Sequence, residues 1–95
     1  MKLIPLLVAA GLLFPGFASA QSGADLAKAK NCMGCHDLDK KKVGPGFQEI
    51  AAKNKGSKDA EATLIAKLRD GKGHMKVAAS DDELITLVQY VLSQK

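Results

Sequence analysis

The strongest constraint on this chain is the run Cys32-Met33-Gly34-Cys35-His36, in which two thiols lie three positions apart and an imidazole follows at once. This C-x-x-C-H spacing is the signature of covalent c-type haem attachment. The thiols of Cys32 and Cys35 can add to the two vinyl groups of a protoporphyrin. The adjacent position places the His36 imidazole where it can bind the iron as the proximal ligand. The sequence therefore predicts a haem c cofactor, held through two thioether bonds.

Three other uses of these side chains compete with haem attachment. A dithiol redox couple is typical of a βαβ context, and no strand-like run flanks the motif. A structural zinc site needs four ligands, and His74 is the only other histidine or cysteine, so a carboxylate would have to complete the set. A disulfide would close a loop too short to stabilise much and would give His36 no role.

The first twenty residues have the pattern of a cleaved secretory leader. Lys2 supplies a short positive region, residues 3–17 are mostly apolar, and Ala18-Ser19-Ala20 has the small-x-small pattern that a signal peptidase reads. The apolar run is shorter than the ~20 residues that a membrane-spanning helix needs. We therefore expect cleavage after Ala20, which leaves a periplasmic domain of 75 residues, 21–95. A chain of this size commonly needs a cofactor or metal to complete its core.

The segment 21–95 has the pattern of short helices joined by turns. We expect helices over 25–31, 47–53 and 59–70 from their composition and apolar spacing. Ser80, followed three residues later by Glu83, is a capping box that predicts the start of the last helix. The apolar stripes of the last two helices comprise Leu64, Ile65 and Leu68, and then Leu84, Leu87, Val88, Val91 and Leu92. The expected fold is all-α, a small bundle of about four helices around one covalently attached haem.

The candidates for the sixth iron ligand are Met75, Met33, His74 and lysine side chains, and Met75 and His74 are neighbours in the loop between the last two helices. Met33 lies on the attachment turn itself and cannot reach the opposite face of the haem. Met75 stands in a polar loop without helical packing partners, so core packing explains it poorly. A thioether opposite His36 would raise the reduction potential and close the iron to added ligands, whereas His74 would give bis-histidine iron of lower potential.

With these residues placed, the chain resembles the small bacterial class I cytochromes c of the c-551/c-552 group, which are electron carriers, from about residue 24 to residue 95. The matching stretches are 26–28, 31–36, 43–45, 50–53, 80–83 and 90–93. The resemblance implies that the first and last helices cross and that the Pro45 carbonyl accepts a hydrogen bond from the His36 ring. It also favours Met75 over His74 as the sixth ligand.

The loop that carries Met75 departs from the family pattern. Residues 71–77 read Gly-Lys-Gly-His-Met-Lys-Val, several residues shorter than the family loop, and lack its Val-Trp-Gly element and its Met-Pro-Pro stretch. We expect the shorter loop to expose more of the haem on that side.

The charge of the chain bears on its partners. Of 14 basic residues Lys2 lies in the leader, so 13 remain against 10 acidic residues, a net charge of +3 before the haem. Lys28, Lys30 and residues 40–42 flank the attachment motif in sequence. They form either an ordinary solvated face or a basic surface that steers docking to an acidic redox protein. We expect a monomer that binds such redox partners, without nucleic acid binding and without stable membrane insertion.

The function that these features predict is a soluble periplasmic electron carrier with a haem c ligated by His36 and Met75. We expect no enzymatic activity, because the sequence contains no recognisable nucleophile triad, acid–base carboxylate pair or phosphate-binding glycine loop. One alternative is a haem-based binder or sensor of small ligands, with an open or displaceable sixth position. Another is a haem-free dithiol or zinc protein.

Overall fold

The computed structural model describes residues 21–95, which form four α-helices and one 3₁₀ turn. The helices are α1 (Gly23–Ala29), α2 (Phe47–Lys53), α3 (Ala60–Asp70) and α4 (Asp81–Leu92), and the 3₁₀ turn covers Cys32–Gly34. Residues 21–95 contain no strand, which confirms the all-α prediction. No helix within this part of the chain is long and apolar enough to cross a membrane. The predicted leader and its cleavage site lie in 1–20, outside the described residues.

The predicted capping box at the start of α4 is present. The Ser80 hydroxyl accepts a hydrogen bond from the Glu83 amide at 3.1 Å, and a Glu83 carboxylate oxygen accepts one from the Ser80 amide at 3.0 Å. These two bonds satisfy amide groups that the first turn of a helix leaves without partners. The start of α4 is therefore fixed by residues within one turn of each other.

The first helix begins two residues earlier than predicted, at Gly23 instead of Asp25. Ser22 is its N-cap, and the Ser22 hydroxyl accepts a hydrogen bond from the Asp25 amide at 3.1 Å. The helix also ends earlier, at Ala29, because the backbone turns into the left-handed region at Asn31, with φ of 66°. Asparagine tolerates this conformation better than most residues, so Asn31 starts the turn into the attachment motif.

Helix α4 is the centre of the packing, because α1, α2 and α3 each contact it. Three side chains of the predicted α4 stripe, Leu84, Leu87 and Val88, are buried, and the other two are partly buried. The core cluster joins α1, α2 and α4 through Leu26, Ala27, Phe47 and Leu87. The expected packing of the first helix on the last is thus observed.

The contact between α1 and α4 depends on a glycine. A Cβ atom on Gly23 would lie 2.2 Å from the Tyr90 Cβ and 2.7 Å from its Cγ. No side chain fits at such distances, so the backbone of α1 approaches α4 closely only because Gly23 has none.

Candidate haem-binding site

The attachment motif forms a tight turn that follows directly from Asn31. Within it the Cys35 and His36 amides both donate to the Cys32 carbonyl, at 3.1 and 3.0 Å. Cys32 and Cys35 are partly buried free thiols. Both thiols and the His36 ring line one cavity. The turn thus brings together the three side chains that the sequence pattern singled out.

The environment of Cys32 differs from that of a redox-active dithiol. Burial raises the pKa of the Cys32 thiol above its ordinary value, against a smaller opposing effect of a backbone hydrogen bond. Reactive C-x-x-C pairs have a thiol whose pKa is lowered, so that the thiolate forms near neutral pH. The shift at Cys32 therefore argues against a dithiol–disulfide couple.

The orientation of the His36 ring is fixed by a backbone carbonyl. Its Nδ1 lies 2.6 Å from the Pro45 carbonyl oxygen. Because a carbonyl can only accept, Nδ1 must carry the proton, which leaves the lone pair on Nε2. A backbone carbonyl bound to the other ring nitrogen is the usual support of a metal-ligating histidine.

Gly44 lets the 37–46 loop pack directly against the His36 ring. Its amide donates to the Cys35 carbonyl at 2.7 Å. A Cβ at this position would lie 2.5 Å from the His36 Cε1 and 2.9 Å from its Nδ1. The glycine before Pro45 is therefore needed for the ring to take its observed position.

Two aromatic rings connect His36 with the core, and sequence reasoning assigned neither of them to the site. The Phe47 ring is tilted against the His36 ring at a centroid distance of 5.3 Å, and it meets the Tyr90 ring edge-on at 6.1 Å. Phe47 is buried, with 2% of its surface exposed. The position of Phe47 directly after the Gly-Pro-Gly turn was visible in the sequence, but its contact with His36 depends on the fold.

The cavity that receives the motif has a volume of about 930 Å³ and is lined from all four helices. This is within the range of roughly 300–1,000 Å³ that cofactor and ligand sites occupy. Its apolar wall includes Ile50, Leu64, Leu68, Leu87, Val88 and Val91. An apolar cavity next to two thiols and an oriented imidazole fits the chemistry of a covalently attached porphyrin.

The loop after α3 brings His74 and Met75 to the same cavity. Gly71 ends α3 with φ of 72°, and the Val77 amide donates to the Leu68 carbonyl at 2.9 Å, which holds the loop against the helix. The His74 ring is parallel to the His36 ring within 5°, at a centroid distance of 6.1 Å. The side chain of Met75 is 70% exposed. The structure thus places His74 close to His36 and Met75 at the mouth of the cavity.

Comparison with known proteins agrees with this geometry. Residues 18–91 match the family described as cytochrome c oxidase, cbb3-type, subunit III. The chain is 41% identical to cytochrome c-551 of Pseudomonas aeruginosa, over 94% of this chain and 92% of that protein. It is 38% identical to cytochrome c-552 of Hydrogenobacter thermophilus, over the full length of both. The chain belongs to the small class I cytochromes c. Wild-type cytochrome c552 of Nitrosomonas europaea superposes with a TM-score of 0.67 at 36% identity, covering 76% of this chain and 99% of that one.

In this cytochrome c, the lysines near the motif are not equivalent. Lys40 and Lys41 are exposed, whereas Lys30 lies 3.6 Å from the Glu83 carboxylate and Lys42 donates to the Met33 carbonyl at 3.0 Å. Of the five lysines near the motif, Lys30 alone lies within ion-pair distance of a carboxylate in residues 21–95, so Lys28, Lys40, Lys41 and Lys42 keep their positive charge.

Three further lysines line the cavity and were not singled out from the sequence, namely Lys53, Lys67 and Lys76. Lys76 follows Met75 directly, and Lys67 precedes Leu68 of the α3 apolar face. Their neighbours in the sequence therefore indicated that both lysines lie close to the cavity.

Proposed function

We propose that this chain is a soluble, monomeric electron carrier of the periplasm, exported by the leader 1–20 and starting at Gln21. Cys32 and Cys35 hold a haem c through two thioether bonds, and His36 and Met75 are its axial ligands. The protein transforms no substrate itself. When bound, the haem supplies one-electron chemistry by cycling between Fe(II) and Fe(III).

The observation that carries this proposal is the hydrogen bond of 2.6 Å between His36 Nδ1 and the Pro45 carbonyl. The bond leaves Nε2 as the ligating atom, and it holds the ring beside the two thiols that line the same cavity. Neither a dithiol redox couple nor a disulfide requires this support of the histidine. Phe47, which packs against the ring, further limits its rotation.

The chain's own residues keep the ligands in place during electron transfer. Pro45 fixes the tautomer of His36, and Gly44 and Phe47 fix the position of its ring. The side chains that α3 and α4 contribute to the apolar wall offer water no hydrogen-bond partner. A proximal ligand that is held in this way needs little rearrangement when the iron changes its charge, which favours fast electron exchange.

Support for Met75 as the sixth ligand comes from its position and its exposure. Met75 lines the cavity that contains His36, and 70% of its surface is exposed. A methionine that contributes so little to the core has no packing reason to be there. Met33, in contrast, packs against the hydrophobic core from the attachment turn, as expected of a residue that does not reach the iron.

The absorption spectrum of the oxidised holoprotein tests the axial ligands. We expect the weak far-red band that methionine sulfur bound to Fe(III) produces, and we expect its loss in Met75→Leu. A wild-type spectrum without this band would contradict Met75 as the resident ligand.

The proposed partner is a redox protein with an acidic docking surface. Lys40 and Lys41 are exposed beside Val43, which is 80% exposed and lines the cavity. Charges of this kind accelerate encounter with an oppositely charged partner, and salt screens them. The surface thus combines an apolar contact near the haem with a positive charge.

The dependence of electron-transfer rate on ionic strength tests the docking surface. In Lys40→Gln/Lys41→Gln we expect a lower rate at low salt and a flatter dependence on salt than in the wild type. The matched control is Lys55→Gln/Lys58→Gln, which removes two exposed lysines outside the haem cavity. Equal effects of both double variants would show that only the net charge matters.

The exposure of Met75 also favours a second candidate function, the reversible binding of a small ligand at the sixth position. Carbon monoxide added to the reduced protein separates the two. A carrier with a retained Met75 ligand resists binding, whereas a binder or sensor takes up carbon monoxide rapidly.

A further inference from the structure

A second imidazole, that of His74, lies near the proximal one. The rings of His36 and His74 are parallel within 5°, and their centroids are 6.1 Å apart. They come from different parts of the chain, His36 from the attachment turn and His74 from the loop between α3 and α4. Two imidazole nitrogens that bind one metal at about 2 Å each leave ring centroids roughly 6 Å apart. The observed separation is of that size.

Both rings also have the same tautomer, for the same reason. His74 Nδ1 lies 2.7 Å from the Met75 carbonyl oxygen, as His36 Nδ1 lies 2.6 Å from that of Pro45. A carbonyl accepts only, so each Nδ1 carries the proton and each Nε2 keeps a free lone pair. This arrangement, with the other ring N–H bound to a backbone carbonyl, is typical of histidines that ligate metals.

The loop holds the His74 ring close to the cavity. Gly71 and Gly73 both have a left-handed backbone, with φ of 72° and 71°, and the Val77 amide is bonded to the Leu68 carbonyl. His74 is partly buried, whereas the adjacent Met75 is 70% exposed. Both side chains line the cavity from adjacent positions of this loop.

We propose that His74 is a reserve axial ligand, which binds the iron opposite His36 whenever the Met75 sulfur leaves the sixth position. This inference rests on the haem site proposed above. The Met75 sulfur withdraws with its lone pair and His74 Nε2 arrives with its own. In the neutral ring with its proton on Nδ1, no proton has to move, and no electron is exchanged.

A reserve ligand has two consequences for the protein. The sixth position stays closed to small molecules when Met75 is displaced, so loss of the thioether alone does not turn the carrier into a ligand binder. The reduction potential falls, because the thioether that favours Fe(II) is replaced by an imidazole.

The test compares four variants of the haem-loaded protein at equal haem content: Met75→Leu, Met75→Ala, His74→Gln and the double variant Met75→Leu/His74→Gln. In Met75→Leu we expect the far-red sulfur band to be lost, the oxidised iron to remain low-spin by electron paramagnetic resonance, and the reduction potential to fall. In the double variant we expect high-spin iron and rapid binding of carbon monoxide. His74→Gln alone is expected to keep the sulfur band and the low-spin state. Met75→Ala repeats the first variant with a smaller side chain, as a control for steric effects of leucine.

Three results would overturn the proposal. High-spin iron in both Met75→Leu and Met75→Ala would show that His74 does not reach the metal. Low-spin iron in the double variant would show that another side chain takes the position. Loss of the low-spin state in His74→Gln would make His74 the resident ligand, which contradicts the reserve role and the assignment of Met75. The first two results leave the proposed electron-carrier function intact.

Discussion

Gly44→Ala tests how the loop before α2 positions the proximal histidine. A Cβ at this position would lie 2.5 Å from the His36 Cε1, 2.9 Å from Nδ1 and 3.1 Å from Nε2. The backbone of Gly44 is outside the left-handed region, so alanine is not strained by its own conformation. The whole effect of the substitution must therefore come from contact with the ring.

The size of the effect follows from these distances. The ring must move by roughly 0.9 Å, the difference between 2.5 Å and the 3.4 Å at which ordinary Cβ contact begins. Phe47 and the bond of 2.6 Å to Pro45 oppose the movement. Overpacking of this kind costs about 1–3 kcal/mol of unfolding free energy. Disturbing the support of a metal-ligating histidine typically weakens metal binding by about 10–100-fold.

The assays are denaturant unfolding, the reduction potential and carbon monoxide binding, with Gly23→Ala as the matched control. Gly23→Ala introduces the same methyl group at 2.2 Å from Tyr90, where α1 meets α4. We expect both variants to lose about 1–3 kcal/mol of stability. Only Gly44→Ala should change the potential and increase carbon monoxide binding. If the two variants differed in neither property, the positioning of His36 by Gly44 would be refuted.

Further predictions concern the helix ends. Ser80→Ala removes the α4 cap and should cost about 1 kcal/mol in denaturant unfolding, and no loss would show that solvent replaces the cap. The Ser80 amide, and then the Lys30 charge, lower the pKa of Glu83 below its ordinary 4.5. The ionised Glu83 carboxylate thus stabilises the folded state fully above pH 4.5, and this contribution is lost as the pH falls through the lowered pKa. In Glu83→Gln the free energy of unfolding should therefore depend less on pH in this range. Asn31→Ala should cost about 1–2 kcal/mol because its φ is 66°, whereas Asn31→Gly should not.

The parts of the fold that sequence predicted are those fixed by neighbouring residues. The α4 capping box uses Ser80 and Glu83 only, and α2 was predicted, directly after the Gly-Pro-Gly turn, with the bounds that the structure gives it. The start of α1 was missed, although Ser22 with Asp25 three residues later is a similar local pattern. The start of α1 was missed because its prediction was based on amino-acid composition and did not consider Ser22 as an N-cap.

The contacts that sequence could not predict join distant parts of the chain. The close approach of Gly23 to Tyr90 and the tilt of Phe47 against His36 depend on how α1 and α2 pack on α4. The proximity of His74 to His36 depends on how the loop after α3 is bonded to that helix. In each case the residue was visible in the sequence, but its partner was set by tertiary packing.

The intact mass of the exported protein is the most direct test of the covalent attachment on which the site depends. We expect the mass of the polypeptide that begins at Gln21 plus one haem, unchanged by denaturation and by acid–organic extraction because both thioethers are covalent. The mass of the polypeptide alone, or a haem that extraction removes, would contradict the account.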